Sequence, residues 1–289
     1  MIKSVSNYVS LVKFSHTVFA MPFALIGFAL AVSEPEYQFS IRLFILILLC
    51  MVFARNTAMA FNRLADRKFD AINPRTSNRE IPSGKIKPKA VVIFIVINAA
   101  LFIITTGFIN RLTLFLSPLA LLIILGYSLS KRMTFLCHFI LGLGLSLAPI
   151  GAYISVTAAF SITPIIYSFI VLTWVSGFDI IYALQDDDFD RINQLYSLPS
   201  SLGRRKALAL SVIIHFFTFI LVLASGFSGE GGLLYWAGAV IFTALLIYQH
   251  LIVKHDDLSR IGLAFGTTNG IASMFYAIFV ILDLYMKNR

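Results

Sequence analysis

Charge is what this chain has least of. Only 13% of its 289 residues are Asp, Glu, Lys or Arg, and 58% are hydrophobic, against about 25% charged and about 45–50% apolar in a soluble domain. A water-soluble globular protein is therefore excluded, and an integral membrane protein is implied. Cysteine is nearly absent. Cys50 and Cys137 both fall inside apolar runs, where they read as small buried hydrophobes and carry no information about the redox compartment. A P-loop, a dinucleotide-binding glycine fingerprint and a Ser/His/Asp set are missing. His138, His215, His250 and His255 share no metal-ligand spacing. No small-residue cleavage site ends the first hydrophobic run, so it is expected to be retained. No linker or low-complexity tract divides the chain, which reads as a single domain, 1–289.

What is present is a series of apolar stretches of about 20 residues, the length a helical span requires. Nine are expected: Ser15–Val32, Leu43–Phe61, Ala90–Ile109, Thr113–Ser130, Phe135–Ala158, Pro164–Leu184, Ala207–Ser225, Leu233–Val253 and Ile261–Tyr285. The expected fold is an all-α bundle of nine transmembrane helices. The net charge of +9 suggests nucleic acid at first sight, but the basic residues gather in alternate loops, which is the pattern of membrane orientation. With the N-terminus inside, 18 of the 23 Lys and Arg residues face the cytoplasm and four face outward, with Arg55 inside a span. The orientation is thus N-terminus cytoplasmic and C-terminus outside. The long loops Asn62–Lys89 and Gln185–Lys206 both fall on the cytoplasmic face.

The most polar long segment, Asn62 to Gly84, follows directly on the second span. Asn62, Asp66 and Asp70 are four apart and stack on one face if the helix continues. Three oxygen donors in such a stripe suit a hard cation such as Mg²⁺. A second stripe, Asp179, Tyr182, Asp186 and Asp190, closes the sixth span. Two facing carboxylate stripes suit Mg²⁺ ions that clamp a diphosphate. On an ideal helix Asp187 and Asp188 turn about 100° and 200° away from Asp186, which leaves them to solvent or to supporting roles. The two stripes, four spans apart, also make a faint internal repeat.

Cations surround both stripes. Arg55 lies seven residues before Asn62, two turns deeper on nearly the same face. Inside a span it marks either an anchor for an anionic group of the substrate or an ion pair that orders the bundle. Pro74, Pro82 and Gly84 break the helix into a bent loop carrying Arg75, Arg79 and Lys85, with Asn73 and Thr76 interleaved. Positive charge there suits a departing diphosphate, whose negative charge grows as the bond breaks. Tyr127 and Lys131 share a face at i, i+4, with Arg132 beside them, and suit phosphate oxygens. Tyr182 is placed to hydrogen-bond the site or to stack near a cation. His16, with Lys13 and Ser15 at the start of the first span, is a lesser candidate.

Two classes of function compete on these features. An ion-coupled secondary transporter accommodates intramembrane ionisable groups and an internal repeat, but its site belongs near the midplane, whereas these carboxylates crowd one membrane face. A lipid scaffold leaves both stripes without a purpose.

The motifs Asn62-x-x-x-Asp66-x-x-x-Asp70, Asn73-Pro74-Arg75-Thr76, Tyr127-x-x-x-Lys131 and Asp186-x-x-x-Asp190 resemble those of the UbiA superfamily of intramembrane prenyltransferases. Arg63 stands where an Asp often follows the first Asn. The resemblance implies Mg²⁺-dependent transfer of a polyprenyl group from its diphosphate to an acceptor, commonly an aromatic ring; with the charge distribution, the expected place is the inner membrane with the active face cytoplasmic. It implies that Asn62, Asp66, Asp70, Asp186 and Asp190 hold metal and that Lys85, Tyr127 and Lys131 contact the diphosphate. Lys13 to Thr17 and Phe19 to Phe23 are similar to the 4-hydroxybenzoate polyprenyltransferase-like branch, some of which is assigned to menaquinone synthesis through futalosine. A quinone precursor is therefore the implied acceptor.

Overall fold

In hydrocarbon every backbone N–H and C=O needs an internal partner, so long apolar runs must fold as helices. The computed structural model describes residues 2–12, 20–229 and 231–287, and among them the regular structure is helical, with no strand. The helices are α1 (Ile2–Leu11), α2 (Met21–Ser33), α3 (Ile41–Ile72), α4 (Pro88–Gly107), α5 (Arg111–Ser130), α6 (Cys137–Thr157), α7 (Ile162–Ala183), α8 (Asp187–Ile192), α9 (Leu198–Leu202), α10 (Arg204–Ser228), α11 (Leu233–Ile252) and α12 (Asn269–Lys287). A 3-10 turn, Leu184–Asp186, joins α7 to α8, and a π-helical turn, Leu263–Thr268, leads into α12. Among the described residues, eight segments are long and apolar enough to cross a membrane, and α2 is a shorter apolar helix. It forms the second part of the expected first span. The opening residues of that span, with Lys13, Ser15 and His16, lie outside the described residues.

Local chemistry sets the helix ends. The Ser40 hydroxyl accepts from the Leu43 amide at the start of α3. At the start of α5 the Asn110 side chain accepts from the Thr113 amide at 2.9 Å, while the Thr113 hydroxyl serves the Asn110 amide. Pro88 opens α4, where its missing N–H has no helical partner to lose. The 32 residues of α3 reach about 48 Å at 1.5 Å per residue, more than a bilayer core of about 30 Å. Its last turns, which carry the first acidic stripe, therefore project beyond the apolar layer.

The helices close a ring. α3, α4 and α5 pack together, α5 meets α6, and α6 lies against both α2 and α7. α7 then meets α10, and α11 and α12 return the ring to α2. Backbones approach closely where side chains vanish: a Cβ on Gly27 of α2 would sit 2.0 Å from the Pro149 carbonyl oxygen of α6. α7 is the innermost span, with 56% of its apolar window buried. Around its Trp174 gather Phe23, Phe178, Phe242 and Tyr276. The indole N–H donates to Asn269 Oδ1 at 3.0 Å, and Asn269 donates to Gln249 at 3.1 Å, so the polar atoms of this core are satisfied internally. Phe115, Leu122 and Phe227 point outward, as side chains facing lipid should.

Two elements depart from expectation. α1 precedes the first span and was not anticipated; Leu11 is buried against Ala60, Ile81 and Val91. The sixth expected span, α7, does not continue smoothly through its acidic end. It stops at Ala183, and the 3-10 turn and α8 re-aim the following carboxylates.

Candidate functional site

Ends of helices from both halves of the ring meet at one cleft. The C-terminal turns of α3, α5 and α7, the first turn of α6, α8 and the loop after α3 surround about 950 Å³, counting the open mouth. Asn62, Asp66, Asp70, Arg75, Arg79, Tyr127, Lys131, Asp179, Tyr182, Asp186 and Asp190 all line it. The antiparallel order of the spans explains why: α3, α5 and α7 end on the side where α6 begins.

One wall is the first stripe. Asn62 Nδ2 donates to Asp66 Oδ2 at 3.2 Å, and Asp66 Oδ1 lies 2.9 Å from Arg132. Asp70 is buried and pairs with Arg79 at 2.7 Å. Its second oxygen, Oδ2, is buried and has no hydrogen-bond partner among the described residues. The facing wall is the second stripe. Asp186 receives both Nε (3.1 Å) and Nη2 (2.5 Å) of Arg75, which reaches across from the loop after α3, and Asn73 adds a bond at 3.2 Å. Asp190 is fully buried between Lys131 Nζ at 2.8 Å and the Ser197 hydroxyl at 3.0 Å. Four carboxylates thus meet four cations, and the cleft is close to neutral.

Neighbouring groups fix the cations. Burial works against the charge on Arg75, but the hydrogen bonds and charge of Asp186 outweigh it and hold its pKa above the ordinary guanidinium value. Lys131 behaves alike: burial lowers, while Asp190 and then Asp186 raise, and its pKa stays above 10.5. Tyr182 accepts from Arg75 Nη1 at 3.2 Å, its ring 5.6 Å below the guanidinium carbon, and it packs on Phe265. One contact thus gives the phenol both a hydrogen bond and a neighbouring cation. Asp179 pairs with His138 at 2.7 Å.

Other expectations meet a different arrangement. Lys85 is exposed, donates to the Asn78 carbonyl at 3.4 Å and stays outside the cleft. Gly84, at φ +74°, turns the chain just before it. Arg55 is half-buried in α3 and also does not line the cleft, because seven residues of helix leave it about 10 Å deeper. Asp187 is not left to solvent. It is buried and gripped by Arg204 at 2.8 and 2.7 Å, whereas the Asp188 side chain is 76% exposed. His138, Cys137, Phe69 and Arg132 also line the cleft. Among these, sequence reasoning passed over His138.

Among the described residues no three Asp, Glu, His or Cys side chains converge as a ready-made metal cage. The donor set still fits Mg²⁺, which is usually held by one or two carboxylates while water and phosphate complete its octahedron. Asn62, Asp66 and Asp70 offer such a partial shell on one wall, and Asp186 and Asp190 offer another. The orphaned Asp70 Oδ2 is an acceptor that no donor among the described residues satisfies.

Residues 20–279 match the UbiA prenyltransferase family. A 4-hydroxybenzoate octaprenyltransferase of Tolumonas auensis is 26% identical over 223 residues, covering 77% of this chain and 78% of its own. Among solved structures, a UbiA homolog from Aeropyrum pernix is 28% identical with a TM-score of 0.80, covering 94% of this chain and 98% of that one. A UbiA homolog from Archaeoglobus fulgidus, bound to DMAPP and Mg²⁺, shares the fold at 20% identity with a TM-score of 0.78, over 96% and 99% of the two chains.

Proposed function

Since this chain belongs to the UbiA prenyltransferase family, we propose that it moves a polyprenyl group from polyprenyl diphosphate to a small aromatic acceptor of the 4-hydroxybenzoate kind, with Mg²⁺, at the cytoplasmic face of the inner membrane. The protein is an integral membrane prenyltransferase of quinone biosynthesis. One observation carries the finer reading: two carboxylate walls, each cross-linked by cations, face one another across a single cleft.

The roles follow from that pairing. Asn62, Asp66, Asp70, Asp186 and Asp190 would hold Mg²⁺, an ion that the Archaeoglobus homolog of the same fold binds together with DMAPP. The ion, when bound, supplies charge neutralisation of the leaving diphosphate. Arg75, Arg79, Lys131 and Arg132 already stand beside the carboxylates. They exchange those partners for phosphate oxygens, with Tyr127 donating its hydroxyl. The helix interior keeps water from an allylic cation, and the Phe-rich spans house the apolar tail without presenting unpaired polar atoms. The Lys and Arg distribution supports the cytoplasmic placement.

A carrier function has no comparable support, because the paired carboxylates sit at one end of the bundle and the family is one of transferases. The test is mass spectrometry of products from purified protein, Mg²⁺, geranyl diphosphate and a panel of aromatic acids. A prenylated ring is expected. Pyrophosphate release with no prenylated ring refutes the acceptor class, and no metal-dependent turnover with short or long donors refutes the reading as a whole.

A further inference from the structure

His138 is the imidazole of the cleft, and it touches a carboxylate. It occupies the first turn of α6, is 2% exposed, and its two ring nitrogens have separate partners. Nδ1 lies 2.7 Å from Asp179 Oδ2. Nε2 lies 3.2 Å from the amide nitrogen of Leu198, the first residue of α9. A backbone amide only donates, so Nε2 is the acceptor and Nδ1 carries the proton that goes to Asp179. The tautomer is thereby chosen from the far side of the ring, and the direction of the Asp179 carboxylate is chosen with it. The Ser176 hydroxyl donates to the His138 carbonyl at 3.2 Å and seats the first turn of α6 on α7.

Asp179 differs from the other cleft carboxylates. Asp66, Asp70, Asp186 and Asp190 each pair with Arg or Lys, whereas the partner of Asp179 among the described residues is an imidazole whose Nε2 already accepts from Leu198. Its side chain is 15% exposed, into the cleft. One oxygen is committed to His138 and the other is presented to whatever fills the cavity. A carboxylate held by a neutral donor is a poor seat for a diphosphate but a good acceptor for a hydroxyl or N–H.

We propose that His138 is a positioning residue for the acceptor: by holding Asp179 Oδ2 it aims Oδ1 at a hydrogen-bond donor on the incoming aromatic molecule, so that acceptors bearing a ring hydroxyl or N–H are selected. The inference rests on the prenyl-transfer reading above. It also gives the loop of α9 a second use, since Leu198 fixes His138 while its neighbour Ser197 holds Asp190. Acceptor and donor halves of the cleft are therefore tied to one short segment.

Two experiments test the proposal, and the first does not need turnover. Protein labelled with ¹⁵N-histidine, assigned by loss of one resonance in His138→Asn, should show His138 as the neutral Nδ1–H tautomer. An Nε2–H tautomer or an imidazolium overturns the assignment. This arm stands even if no substrate is ever turned over, so its failure is separable from failure of the functional reading. The second is steady-state kinetics on His138→Ala, His138→Asn, Asp179→Asn and the Ala/Asn double variant. His138→Ala should raise the acceptor KM about tenfold to a hundredfold, the range for a lost hydrogen bond to a charged group. The donor KM should move less than about threefold. His138→Asn, whose amide N–H replaces Nδ1–H, should recover most of the loss. The double variant should be no worse than Asp179→Asn alone. Equal changes in donor and acceptor KM, or additive losses in the double variant, would mean that His138 merely pins the α9 loop.

Discussion

Replacing Asp186 by Asn separates what the cleft does for folding from what it does for chemistry. Asp186 takes a two-pronged bond from Arg75 and a third from Asn73. A hydrogen bond to a charged group is worth about 1.5–3 kcal/mol when buried. Here the Arg75 side chain is 34% exposed and keeps the Tyr182 hydroxyl at 3.2 Å, so water and Tyr182 take up much of the loss. The folding cost falls to about 1 kcal/mol, a melting shift of about 2–4 °C in a chain of this size. The effect on transfer is of another order. Losing one preorganised charge-stabilising group from a transition state typically costs about 10²–10³ in rate, or about 2.7–4 kcal/mol. The assay follows pyrophosphate release and prenylated product against Mg²⁺ concentration in detergent micelles, with a melting curve on the same preparation. The expected outcome is a rate at least a hundredfold lower, a higher Mg²⁺ midpoint and nearly unchanged melting. Wild-type turnover with an unchanged Mg²⁺ midpoint would refute the clamp. A melting drop of more than about 10 °C would show instead that Asp186 serves the fold.

Three further outcomes are expected. Lys131→Ala should cut transfer about a hundredfold or more, whereas Lys85→Ala, outside the cleft, should change it less than about threefold; matched losses would show that the cleft is wrongly bounded. Because Asp190 holds the Lys131 pKa above 10.5 against burial, the stability from this pair is complete below that ordinary value and disappears only as pH climbs through the raised one. Melting followed from pH 8 to 11 should therefore lose no Lys131-dependent stability until above 10.5, and an earlier loss, absent from Lys131→Ala, would contradict the pairing. Gly27→Ala would drive a Cβ to 2.0 Å from the Pro149 carbonyl oxygen, and overpacking of that kind costs about 1–3 kcal/mol; an unchanged melting curve would mean that α2 is not held against α6 as described.

Much of the bundle and most of the cleft were legible in the sequence, for reasons that apply residue by residue. Runs of about 20 apolar residues have one stable conformation in lipid. The Asn62, Asp66 and Asp70 spacing works because α3 does continue past the apolar layer to Ile72. The second stripe was found for a partly mistaken reason. Continuous helix was assumed through Asp190, but α7 stops at Ala183, and a 3-10 turn brings Asp186 to the cavity while α8 brings Asp190. Asp187 became buried through Arg204, seventeen residues on, and no local periodicity encodes that pairing. Lys85 was misplaced because charge and loop context give no direction, and the turn at Gly84 supplies it.

His138 is the instructive omission. A lone histidine in an apolar run invites dismissal, and its partner Asp179 is 41 residues away. Yet the order of the spans held the signal. α6 and α7 are joined by a loop of only a few residues, so they form an antiparallel hairpin in which positions equidistant from the loop lie at the same depth. His138 is the second residue of α6 and Asp179 the fifth from the end of α7. At 1.5 Å per residue they are offset by only about one turn. Two polar side chains at matching depth on packed neighbouring spans, each too costly to leave unpaired in an apolar bundle, ought to be expected in contact before any coordinates are seen. Pairing by depth across hairpins reaches contacts that spacing along a single helix cannot, and the same rule places Lys131 at the end of α5 close to His138 at the start of α6.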